Sequence, residues 1–152
     1  MSTFTLIHVV ISLIGIFAGL VLMYDFLTGK RLGFWNALYL VMTILTSVTG
    51  FFFPWKGFTP GIKLGIISLV ILAIALVALK KKLTKTYIIT TVIAEFLNVL
   101  VLIAQSFQKI PPLHALAPTG KEPIVPICTA LALVLFLVLA VVAIRKKAFV
   151  LV

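Results

Sequence analysis

Residues 87–107 read YIITTVIAEFLNVLVLIAQSF, and this stretch decides the fold. As a helix it reaches across the hydrocarbon core of a bilayer, which takes about 20 residues. Its one formal charge is Glu95. In lipid every backbone N–H and C=O must be satisfied within the protein, which leaves helices and closed barrels. The run has no period-two alternation of the kind a barrel strand needs, so the helix is the expectation.

Four further runs read the same way, at residues 4–24, 34–53, 62–79 and 124–144. The fold class expected is all-α, an integral membrane helical bundle of five transmembrane helices forming a single transmembrane domain over residues 1–152. Composition agrees: 63% of the residues are apolar and 11% charged, against about 45–50% and 25% in soluble domains. The connectors carry turn residues: Gly29 and Gly33 in the first, Pro54 and Pro60 in the second, and a short basic turn from Lys80 to Lys85 as the third. The fourth, residues 108–123, holds Pro111, Pro112, Pro118, Gly120 and Pro123. Proline at that density blocks a continuous helix and leads one to expect an ordered, extended cap. The first run lacks a basic n-region and a small-residue cleavage site, so it is expected to stay as a helix.

The formal charge is +10, from 13 Lys and Arg against three acids. In a soluble protein this would suggest nucleic acid. Here the bases flank apolar runs, where they set topology and meet anionic lipid headgroups, so no nucleic-acid partner is expected. With the N-terminus outside, the inner side receives Lys30, Arg31, Lys80, Lys81, Lys82, Lys85, Arg145, Lys146 and Lys147. The outer side keeps Lys56, Lys63, Lys109 and Lys121. Positive charge collects on the cytoplasmic side, so the expected orientation is N-terminus outside and C-terminus cytoplasmic. The aromatics form belts compatible with either orientation: Tyr24, Trp35, Tyr39 and Tyr87 near one set of ends, and Phe51, Phe52, Phe53, Trp55 and Phe58 near the other.

Glu95 carries the sharpest functional signal, because a carboxylate at mid-membrane costs roughly 2.5 kcal/mol or more unless protonated or paired. Thr91, Glu95, Asn98 and Gln105 fall on one helix face at 100° per residue. The second run offers Thr43, Thr46, Ser47 and Gly50 at similar depth, so the second and fourth long helices are expected to meet. Two interpretations compete for this polar face. In one it relays protons or ions, or anchors the headgroup of a hydrophobic ligand. In the other a neutral Glu95 is interhelical glue. A weak internal repeat aligns Tyr39, Thr43, Ser47 and Gly50 with Tyr87, Thr91, Glu95 and Asn98, and Ser12 with Ser68. Gly15 with Gly19, and Gly61 with Gly65, are G-x-x-x-G pairs that permit close backbone approach.

No metal or cofactor is expected. Cys128 has no second thiol, and His8, His114 and Glu122 lack zinc-ligand spacing. Phosphate-loop, zincin and nucleophile-elbow motifs are missing, and no nucleophile has a histidine at compatible depth, so no catalytic residue is assigned.

Residues 105–119, QSFQKIPPLHALAPT, and 46–54, TSVTGFFFP, together resemble a family of small bacterial polytopic membrane proteins. The resemblance implies a multi-pass bundle in the cell inner membrane and carries over no activity, cofactor or catalytic residue. The reading favoured is a non-enzymatic accessory subunit or a bundle that binds lipid or another hydrophobic molecule. The alternative is a small proton- or ion-coupled transporter or channel using Glu95. The partners expected are the bilayer, including anionic lipids, and a larger membrane complex or further copies of the chain.

Overall fold

The computed structural model describes residues 3–53, 57 and 59–146. The expected contributions of Pro54, Trp55, Lys56, Phe58 and Lys147 lie outside the described residues. Of the described residues 84% are helical, and none lies in a strand. Its elements are α1 (Thr3–Thr28), α2 (Phe34–Gly50), α3 (Pro60–Lys80), α4 (Thr84–Lys109), α5 (Pro111–Leu116) and α6 (Ile124–Arg145). By length and composition α1, α3, α4 and α6 are able to cross a membrane, whereas α2 has 17 residues.

The boundaries have local causes. At the end of α1, Gly29 adopts φ 71° and the Lys30 N–H returns to Asp25 O at 3.1 Å. This is a Schellman closure, which satisfies carbonyls the helix end would leave free. The end of α3 repeats it with a lysine: Lys82 has φ 56°, and the Leu83 N–H reaches Ala78 O at 2.8 Å. The start of α3 has Thr59 as N-cap, accepting from the Ile62 N–H at 3.4 Å, with Pro60 opening the first turn. α2 stops at Gly50, short of the expected residue 53, because the N–H groups of Phe51 and Phe52 tighten onto Val48 O and Thr49 O. The proline-rich connector is not an extended cap. Pro111 and Pro112 open the helical turn of α5, where an absent N–H costs nothing.

α1 packs along α2 and reaches α4 and α6, while α3 packs on α4 and α2, so α4 is the helix around which the others gather. The apolar core joins Leu22 and Phe26 of α1, Tyr39 of α2, Leu72 and Ala75 of α3, Tyr87 and Ile88 of α4, and Phe136 and Ala143 of α6. This core fills one half of the bundle. No residue is buried in 3–14 of α1, 60–67 of α3, 96–106 of α4 or 124–135 of α6. The bundle is therefore closed at the end carrying the basic α3–α4 turn and more open toward the end carrying α5, where Phe107 and Ala117 are nonetheless buried.

Candidate functional site: a buried carboxyl at the floor of the open half

The boundary between the two halves is polar. Glu95, Thr43 and Thr91 are fully buried, Ser47 nearly so, and Asn98 half-buried one turn nearer the open end. Asn98 Nδ2 bridges two helices, reaching Glu95 Oε2 at 3.3 Å and Thr43 Oγ1 of α2 at 3.4 Å. α2 and α4 thus meet through long side chains across the interior. Tyr39 of α2 donates to the carbonyl of Thr91 on α4 at 3.2 Å, and Tyr87 of α4 donates back to Asn36 Oδ1 of α2. Each tyrosine buries its ring in the core and gives its hydroxyl a partner on the opposite helix, which a buried phenol needs.

The Glu95 carboxyl lies against α1 at Gly19. A Cβ at residue 19 would overlap the carboxyl, meeting Oε1 at 2.8 Å with Cδ and Oε2 closer still. Gly15, one turn earlier, receives α2: its nearest neighbours are Met42 Cβ at 3.3 Å and the Thr43 backbone. The G-x-x-x-G pair of α1 therefore has two separate guests, the backbone of α2 and the side chain of α4. Gly65 of α3 similarly admits the Phe51 ring at 3.3 Å, near where Ser47 donates to Ser68 of α3 at 3.3 Å.

Two oxygens in this region are buried and have no hydrogen-bond partner among the described residues: Glu95 Oε1 and Thr46 Oγ1. Buried polar groups are normally paired, so these oxygens are the least satisfied part of the interior. Of the seven residues expected to form the site, the structure brings Glu95, Asn98 and Thr43 into one hydrogen-bonded set. Thr91 joins it through its backbone. Ser47 turns to α3, and Thr46 stands half-buried on α2. Gln105 is exposed and does not belong to the set. It lies seven residues beyond Asn98, about 10 Å along the axis, where α4 has left the packed half.

Gly19, Tyr39, Tyr87 and Asn36 complete the network. Gly19 was visible only as half of a packing pair. Tyr39 and Tyr87, expected in an aromatic belt at the helix ends, are instead fully buried in the core, where a phenol must find an acceptor. Asn36 carried no signal in sequence.

The histidines do other work. His8 Nδ1 is hydrogen-bonded to Thr49 Oγ1 at 2.8 Å, and its ring stands edge-on to Phe53 at 5.0 Å, tying α1 to the end of α2. His114 is exposed, its Nδ1 donating to Phe107 O at 3.3 Å. Glu122 accepts from the backbone and the hydroxyl of Thr119 at 3.0 and 2.9 Å, and the backbone bond chiefly holds its carboxyl below the usual range. Among the described residues no three of His, Cys, Asp and Glu gather as metal ligands would.

In comparisons with known proteins, no family model, no curated protein and no solved structure matches this chain.

Proposed function

We propose that the chain is a multi-pass protein of a bacterial inner membrane that binds a lipid or another hydrophobic molecule without chemically altering it, alone or as the accessory subunit of a larger complex. The observation that carries this reading is the division of the bundle into a sealed half and an open half, with hydrogen-bonding groups at the boundary. Membrane ligands sit in apolar clefts with a few convergent polar groups, and the half-buried Asn98 supplies such a group at this boundary. Glu95, pinned between Gly19 and Asn98, positions that group.

The same reading takes α2 as a fifth crossing. Its 17 residues extend about 25 Å at helical rise, a shortfall that local bilayer thinning accommodates at modest cost. The N-terminus lies outside and the C-terminus in the cytoplasm, as the charge asymmetry of the connectors favours. Photoreactive fatty-acyl phospholipid incorporated with the purified protein tests the cleft. Crosslinks should concentrate on the unburied halves of α1, α4 and α6 and fall when Asn98→Leu removes the floor. Crosslinks spread evenly along the helices, indifferent to that change, would refute it.

The partnerless Oε1 of Glu95 favours a second reading, a proton- or ion-coupled transporter. Flux into liposomes decides between the two. A flux lost in Glu95→Gln supports transport, and no flux by the wild type supports the binding role.

A further inference from the structure

At the closed end of the bundle the helix termini converge. Lys146 Nζ donates to Leu27 O at 3.5 Å, joining the end of α6 to that of α1. Phe26 meets Tyr87 edge-on at 6.1 Å, joining the end of α1 to the start of α4, and Tyr87 in turn holds Asn36 near the start of α2. Onto this platform the α3–α4 turn sets Lys80, Lys81, Lys82 and Lys85, all exposed. Lys30, Arg31, Arg145 and Lys146, also exposed, complete the rim.

Almost nothing in the protein offsets this charge. Among the described residues Asp25 is the one acid at this end, and it is buried with Lys30 beside it at 3.9 Å. Helix dipoles do not close the gap. The three C-termini and two N-termini at this end sum to about half a negative charge, against eight cations. The opposite end has three described lysines, Lys63, Lys109 and Lys121, and one acid, Glu122.

We propose that this rim binds the phosphate headgroups of anionic phospholipids in the leaflet it faces. Clusters of four to eight basic residues at the ends of membrane helices attract such lipids, and each cation adds to the attraction. Here the tie between α1 and α6 and the closed turn of α3 hold the cations around one perimeter. They meet several headgroups at once without ordering a flexible segment. The proposal rests on the chain spanning a bilayer and is independent of what the open half binds.

The experiment uses the full-length protein in mixed vesicles of phosphatidylglycerol and phosphatidylcholine. Trp35, beside the rim at the start of α2, serves as reporter after Trp55→Phe. Quenching by brominated phosphatidylglycerol should exceed quenching by brominated phosphatidylcholine, and the preference should weaken with salt. Lys80→Gln, Lys81→Gln and Lys82→Gln combined should lower it several-fold, since each lysine contributes at most about fivefold. The matched triple Lys63→Gln, Lys109→Gln and Lys121→Gln at the far end should leave it unchanged. A wild type without preference, or equal loss in both triples, would overturn the proposal. Loss of the preference to soluble inorganic phosphate at constant ionic strength would assign the rim to free anions and overturn it as well. Resistance to alkaline extraction is scored in parallel. An inserted protein lacking the preference sinks the rim alone, whereas failure to insert sinks the membrane reading beneath it.

Discussion

Gly19→Ala places one methyl group where the Glu95 carboxyl lies. The added Cβ would stand 2.8 Å from Oε1 and nearer to Cδ and Oε2, inside any distance that real Cβ atoms keep. Glu95 has no exposed surface toward which to swing. Overpacking of this kind costs about 1–3 kcal/mol, and displacing the carboxyl from Asn98 removes about 1 kcal/mol more. Alanine returns about 1 kcal/mol over glycine in helix propensity. The net expectation is a loss of about 1–3 kcal/mol. The decisive measurement is a double-mutant cycle with Glu95→Ala, read from equilibrium unfolding in lipid-detergent bicelles. Glu95→Ala empties the space the methyl enters and leaves only the propensity gain, so in that background Gly19→Ala should become stabilising by about 1 kcal/mol, a coupling of about 3 kcal/mol. An unchanged penalty would show that the methyl collides with something other than Glu95 and would refute the cradle.

Three other outcomes are expected. In a Cys128→Ser background, a cysteine at Thr119 should react with an impermeant thiol reagent in intact cells and one at Lys82 should not; the reverse pattern overturns the orientation. Tyr87→Phe leaves the Asn36 amide oxygen buried and unpaired and should cost about 1–3 kcal/mol in the same unfolding assay, whereas a neutral result would remove that bond from the network. Glu122 is held below its ordinary 4.5 chiefly by the Thr119 backbone N–H. The order it lends the connector is therefore full above that value and is lost as pH falls through the lowered one. The Thr119 amide resonance should titrate with a midpoint below 4.5, and a midpoint at or above it would deny the bond.

The long helices were legible because the bilayer thickness and the backbone's need for partners leave few alternatives for runs such as 62–79 and 124–144. Their ends were less so. The α2 boundary depends on a tightened turn at Phe51, and α5 on prolines placed where a helix tolerates them. Hydrophobicity registers neither. Glu95 and Asn98 stood out because polar groups are costly in hydrocarbon, and their link to Thr43 followed from matched depth. The exclusion of Gln105 did not. Its angle on the helix places it with the others, yet it is exposed while Phe107, two residues on, is buried. Which face is covered at that level is a tertiary property. Gly19 likewise looked like a helix–helix contact until the carboxyl was seen to occupy the place of its missing side chain.

The sparse packing of α6 bears on how the protein assembles. Phe136 and Ala143 are its only buried side chains among the described residues, and the partly buried Leu139, Ala140 and Ile144, the Phe96–Phe136 ring pair and the Lys146–Leu27 tie complete its docking. Elements with few buried contacts open at lower free energy than the rest of a structure. As the most C-terminal of these helices α6 leaves the ribosome last, so the α1–α4 framework is able to form before it arrives.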